Sequence, residues 1–146
     1  HILSNIMDCG DIRETLGLDR CVSCGACTDA CPSARHGGIV PDAAVASVIE
    51  GESPERIWDC LMCHRCSMVC PQKIDVAEMM ALLRGISGGI PERYLRSAAQ
   101  VYKTGRTTAA SKRTASQRES LGLSPADDAD ADALRQVLDK EGWPNE

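Results

Sequence analysis

Cys21-Val-Ser-Cys24-Gly-Ala-Cys27-Thr-Asp-Ala-Cys31-Pro32 returns thirty-nine residues later as Cys60-Leu-Met-Cys63-His-Arg-Cys66-Ser-Met-Val-Cys70-Pro71. Both copies read C-x-x-C-x-x-C-x-x-x-C-P. Together they hold eight of the nine cysteines, and Cys9 stands alone upstream. The chain is therefore built on an internal repeat whose fixed positions are thiols.

A C-x-x-C-x-x-C loop wraps one corner of a cubane, offering three thiolates to three irons while its amides remain free to hydrogen-bond to sulfur. In two-cluster ferredoxins this spacing sends the fourth cysteine of each run to the other cluster. The expected ligands of one [4Fe-4S] cluster are Cys21, Cys24, Cys27 and Cys70. Those of a second are Cys60, Cys63, Cys66 and Cys31, with Pro32 and Pro71 fixing the chain direction after each crossing ligand. Zinc is the main competing metal, but a tetrahedral ion bound by two C-x-x-C pairs has no use for a third cysteine three residues on. Disulfides are the other alternative, and they do not suit a reducing compartment.

Composition points the same way. In 146 residues there are two Trp, two Tyr and no Phe, too few large side chains for an ordinary core of this size. Eight metal ligands crosslink the chain from Cys21 to Cys70, so binding the clusters doubles as folding energy. Sixteen basic against twenty-one acidic residues give a net charge of −5, which two clusters at net −2 each carry to about −9. No apolar run is long enough to span a bilayer or serve as a secretory signal, so a cytoplasmic protein with no membrane contact is expected. The chain starts at His1 rather than Met, and the N-terminus is read as incomplete.

An all-α fold is expected, in three parts: a lead segment over 1–20, a two-cluster domain over 21–90, and a helix, extended docking arm and short terminal helix over 91–146. Pro41 opens a helix through Ile49 that Gly51 stops. Ser53 suits an N-cap and Pro54 a first helical position, predicting a helix that runs into Cys60. Asp75 and Glu78 resemble a capping box ahead of Val76, Met79, Met80 and Leu83 at one-face spacing. Pro91 opens a further helix with a stripe of Tyr94, Leu95, Ala98, Val101 and Tyr102, closed by Gly105. Thr104 to Ser120 has little to bury and reads as an arm that wraps a protein partner. Asp127, Asp128, Asp130 and Asp132 then precede a short amphipathic helix with Leu134, Val137 and Leu138, ending near Gly142 and Trp143.

Beyond the eight ligands little carries chemistry. Cys9 reads as a small buried residue or an idle thiol. His64, Arg65 and Lys73 are candidates for tuning the second cluster, against the plainer reading that they face solvent. Five basic residues between Lys103 and Arg118 have only Tyr102 beside them for stacking, so nucleic acid is not an expected partner. There is no nucleophile triad or phosphate-cradling loop, and no catalytic residue is assigned.

The two runs and their helical connector of twenty-seven residues resemble the α-helical ferredoxin domain found in iron-sulfur subunits of several oxidoreductase complexes. The 146 residues hold neither the plant-type ferredoxin domain of succinate dehydrogenase subunits nor the paired-cysteine domains of glycolate-type subunits. The chain resembles the family of heterodisulfide reductase C subunits of methanogenic archaea. Cys21 to about Leu83 carries the motif. Tyr102-Lys103-Thr104-Gly105-Arg106, Leu121-Gly122-Leu123 and the closing helix share its general character.

That resemblance implies a member of an oxidoreductase complex of methanogenesis, with no substrate site of its own. It would relay single electrons from the A subunit, which carries flavin and iron-sulfur centres, to the B subunit, which reduces the coenzyme M–coenzyme B heterodisulfide. A hydrogenase or formate dehydrogenase module is the expected further partner. The alternatives are a relay subunit of another oxidoreductase, or a free-standing dicluster ferredoxin. Cys9 and the acidic stretch at 127–132 match no motif of the family and inherit no role.

Overall fold

The structure, a computed structural model, describes residues 7–107, 111–124 and 131–142. Among these residues every regular element is an α-helix or a 3₁₀ turn. His1, Asp127, Asp128, Asp130, Trp143 and positions 108–110 of the arm lie outside the described residues. The chain divides after Gly89 into two compact units.

In the first unit, helix α1 (Cys9–Leu16) is fixed at its start by a reciprocal box. The Asp8 carboxylate accepts the Asp11 N–H and the Asp11 carboxylate accepts the Asp8 N–H, both at 2.9 Å. Gly17, at φ 59°, ends it and leads into a 3₁₀ turn over Leu18–Arg20. Residues 9–20, which the sequence marks only as a lead, thus contribute Ile12 and Leu18 to the core, both fully buried. Arg13 ties this helix to the next long one, donating to the Ile49 carbonyl at 2.8 Å while pairing with Asp19 at 2.7 Å.

Two short helices, α2 (Ala26–Asp29) and α3 (Pro32–Arg35), follow the first run, and α4 (Pro41–Ile49) forms where Pro41 predicts it. The second run leads into α5 (Arg65–Val69), and α6 (Val76–Ile86) buries Val76, Met79, Met80 and Leu83. Asp75 caps α6 by accepting the Glu78 N–H at 3.0 Å. Helices α4 and α6 both pack on α1, over a core of Ile, Leu, Val and Met. Cys21, Cys27, Cys60 and Cys70 pack against that core.

The Ser53–Pro54 helix does not form. The chain turns instead at Arg56, in the left-handed region at φ 61°, and only Ile57–Asp59 makes a 3₁₀ turn. Sharp reversal lets Ile57 enter the core immediately before Cys60, which a regular helix from Pro54 would not. Ser53 stands with its hydroxyl 3.4 Å from that of Ser87.

The second unit holds α7 (Glu92–Thr104), α8 (Lys112–Ser120) and α9 (Ala131–Lys140). Pro91 sits at the N-cap of α7 rather than inside it, and Gly105 ends it at φ 70°. Helix α9 packs on α7: the Tyr102 hydroxyl donates to Asp139 at 2.7 Å, and Arg135 donates to the Lys103 carbonyl at 3.1 Å. Tyr94, Ala98, Val101 and Tyr102 are half-buried, whereas Leu95 is exposed. The segment expected as an extended arm is helical over α8, though exposed along almost all of its length. Local bonds account for this: Ser111 accepts the Thr114 N–H at 3.1 Å, and Arg118 donates to the Ser124 carbonyl at 2.7 Å.

Candidate metal centre

The repeat in sequence is a repeat in backbone, and it begins before the cysteines. Gly17 and Arg56, thirty-nine residues apart, both turn the chain in the left-handed region, at φ 59° and 61°. Leu18 and Ile57 follow, both buried. The Cys21 and Cys60 N–H groups then close matching turns onto the carbonyls of Leu18 at 2.9 Å and Ile57 at 3.3 Å. Inside the loops Ser23 pairs with Met62 (φ 52° and 51°) and Gly25 with His64 (φ 74° and 60°). Each loop therefore curls the same way.

Two small cavities lie beside the loops. The first is lined by Cys21, Cys24, Cys27 and Cys70, the second by Cys60, Cys63, Cys66 and Cys31. Three thiols of one run meet the fourth of the other at each. Cys31 reaches the second cavity because it caps α3, where its sulfur accepts the Ala34 N–H at 3.5 Å and Pro32 occupies the first helical position. Cys70 leaves α5 in extended conformation and so reaches the first.

Hydrogen bonds clamp each crossing segment. The Ser33 hydroxyl donates to the Asp59 carbonyl at 2.8 Å and accepts the Ile39 N–H at 3.2 Å. Arg20 donates to the Gln72 carbonyl at 3.1 Å. A second repeated device follows the third cysteine of each run. Thr28 donates to Asp42 and Ser67 to Asp75, both at 2.6 Å, and so tie each loop to the start of the next long helix. Of these partners only Asp75 has a local sequence signal, although the thirty-nine-residue offset aligns Thr28 with Ser67, Arg20 with Asp59 and Ser33 with Gln72.

Burial and the Asp42 carboxylate push the Cys27 thiol up to about 11, and burial raises Cys66 as well. Such thiols ionise at neutral pH only when a metal takes the place of the proton. Four thiols line each cavity, the number that a [4Fe-4S] cubane takes, one at each iron corner.

Cys9 lines neither cavity and is buried at the start of α1, where desolvation and the nearby Asp8 and Glu52 carboxylates raise its pKa. His64 and Arg65 line the second cavity while remaining exposed, and Lys73 is exposed beyond Cys70. Sequence reasoning missed Arg84, which reaches from α6 to donate to the Cys60 carbonyl at 2.6 Å and the Ile57 carbonyl at 3.1 Å. Its guanidinium stands 4.9 Å from the centre of the Trp58 ring.

Residues 17–74 match the family described as a 4Fe-4S dicluster domain. That range starts at Gly17, where the structural repeat starts. The chain is 40% identical over 83 residues to the C subunit of ferredoxin:CoB-CoM heterodisulfide reductase from Methanosarcina acetivorans, covering 50% of this chain but only 34% of that relative. It is 32% identical over 126 residues to the protein of the same description from Methanosarcina mazei, covering 78% of this chain and 76% of the relative. With the C2 subunit of H(2)/formate:CoB-CoM heterodisulfide,ferredoxin reductase from Methanococcus maripaludis it shares 30% identity over 76% of this chain and 64% of the relative. A dicluster domain begun at Gly17 and a likeness continuing through most of the chain have one common reading: the chain belongs to the family of heterodisulfide reductase C subunits.

Proposed function

We propose that this chain is a non-catalytic electron-relay member of a cytoplasmic heterodisulfide reductase complex. It holds two [4Fe-4S] clusters, one on Cys21, Cys24, Cys27 and Cys70 and the other on Cys60, Cys63, Cys66 and Cys31. The observation that carries the reading is the partition of the eight repeat cysteines into two like cavities, each taking three from one run and one from the other.

When bound, the clusters supply one-electron redox chemistry. The chain's own residues do the rest. Ser33 and Arg20 hold the crossing segments against the opposite loops, keeping the two cavities at a fixed separation. The aliphatic core around the cysteines keeps water from the inner faces, which limits reorganisation as charge changes. Cys24 and Cys63 are exposed, and Val22 and Leu61 beside the first cysteine of each run stand out from the surface at 61% and 66% exposure. These apolar rims suit the approach of redox partners, one to each loop. The donor is the flavin and iron-sulfur protein of the complex, its A subunit. The acceptor is the heterodisulfide-reducing B subunit, and a hydrogenase or formate dehydrogenase module lies upstream.

Anaerobic purification of the native assembly tests this reading. It predicts about eight irons and eight acid-labile sulfides per chain, and co-purification with flavin-bearing and heterodisulfide-reducing chains. An iron-free chain carrying zinc, or a brown chain that purifies alone, would contradict it.

A further inference from the structure

The two cavities share a backbone but not a charge. The first has one charged side chain in its wall, Asp42, held by the Thr28 hydroxyl at 2.6 Å; its counterpart Asp75, held by the Ser67 hydroxyl at 2.6 Å, stands outside the wall of the second. The second has Arg65 as the charged member of its wall, with His64 beside it. Arg84 adds a further cation there, bonded to the carbonyl of the ligand residue Cys60 itself. Arg20, a cation beside the first loop, donates to the carbonyls of Leu16, Gly17 and Gln72, the last in the first cavity's wall, so the first has one cation where the second has Arg65 and Arg84. A carboxylate beside a cluster opposes the added negative charge of an electron, and a guanidinium favours it.

We infer that Asp42 on one side and Arg65 with Arg84 on the other set the order of the two potentials, making the Cys60, Cys63, Cys66 and Cys31 centre the first to be reduced. This rests on the two-cluster reading above. With both clusters bound, these charges would favour an electron on the Arg65 and Arg84 side over the Asp42 side, the one cluster giving up the single electron that the other gains. Asp42, Arg65 and Arg84 are positioning residues for charge, since none of them ligates. Their signs give the relay a direction that the near-identical loops could not supply.

The test is a potentiometric titration of the anaerobically purified full chain, followed by electron paramagnetic resonance. Cys24→Ser and Cys63→Ser identify which signal belongs to which centre. The signal altered by Cys63→Ser is expected to appear first on reduction. Asp42→Asn is expected to make the other centre easier to reduce, and Arg65→Gln and Arg84→Gln to make the first-reduced centre harder. Each change should move the inter-cluster electron equilibrium by about tenfold, which is about 59 mV for one electron. Arg84→Lys keeps the charge and should keep most of the potential, whereas a merely structural role would be lost in both variants. Arg65 is exposed, so its removal reads charge without disturbing the fold. A Cys24-sensitive signal that appears first, or potentials indifferent to Asp42→Asn and Arg65→Gln, would overturn the inference while leaving the two-cluster reading intact. Iron content that fails to reach two clusters would instead defeat that reading.

Discussion

Ser33 donates its hydroxyl to the carbonyl of Asp59 at 2.8 Å, joining the chain just past one crossing cysteine to the chain just ahead of the other loop. Thirty-nine residues on from Ser33 lies Gln72, and thirty-nine before Asp59 lies Arg20. Those two make the corresponding junction with roles exchanged, Arg20 donating to the Gln72 carbonyl. The repeat thus preserves the contact while changing its chemistry. Ser33 is buried, so Ser33→Ala leaves the Asp59 carbonyl and the Ile39 N–H without this partner. A loss of about 1–3 kcal/mol is expected in denaturant unfolding of the loaded protein, with the Cys31 side of the second centre the first to lose iron on chelator challenge.

Gly38 has to be glycine for the same junction to close. A Cβ there would stand 2.1 Å from the Ser33 hydroxyl oxygen and 3.0 Å from the Ser33 carbonyl. Gly38→Ala should therefore destabilise by about as much as Ser33→Ala, and the double variant by less than the sum, because both act on one contact. A double-mutant cycle on unfolding midpoints measures this.

His64 takes the left-handed turn that Gly25 takes in the other loop. Replacing Gly25 by Ala meets no close atom, the nearest being Asp42 Oδ2 at 4.0 Å, so its cost is conformational, about 1–2 kcal/mol. His64→Gly relieves that strain but frees the unfolded chain, and should leave thermal stability within about 1 kcal/mol.

In the second unit, the hydrogen bond to Asp139, with that carboxylate's charge, raises the Tyr102 pKa above the usual phenol value of 10.0. A raised folded pKa means the contact is fully present below the unfolded value and is lost as pH rises through the folded one. The protection factor of the α9 amides, corrected for the intrinsic base-catalysed rate, should therefore fall in alkali in the wild-type chain. In Tyr102→Phe protection should be lower already at neutral pH and show little further fall. Unaltered exchange in the variant would contradict a role for this bond in holding α9.

Legible in the sequence is whatever has short-range necessity. Cysteine spacing is set by the shape of the cluster, and Pro41, Gly51, Asp75 and Gly105 mark helix ends by rules that act within a turn. The break at Arg56 is hidden because Ser53 and Pro54 form a good local start signal. Only alignment with Gly17 across the offset shows that the chain must reverse there. Arg84 and Asp42 escape notice because their partners lie at Cys60 and Thr28, 24 and 14 residues away. Helix α8 escapes because it has no apolar stripe, and its cap at Ser111 and the Arg118 bond to Ser124 leave no hydrophobic trace.

The central claim is that each cluster borrows one ligand from the other run, and Cys31→Ser tests it most directly. Magnetic resonance of the reduced variant, compared with Cys24→Ser and Cys63→Ser, reports which centre is damaged. Crossed ligation predicts that the Cys63-sensitive signal is lost or altered while the Cys24-sensitive one persists. Damage confined to the Cys24-sensitive signal, the centre whose loop Cys31 follows in sequence, would contradict it.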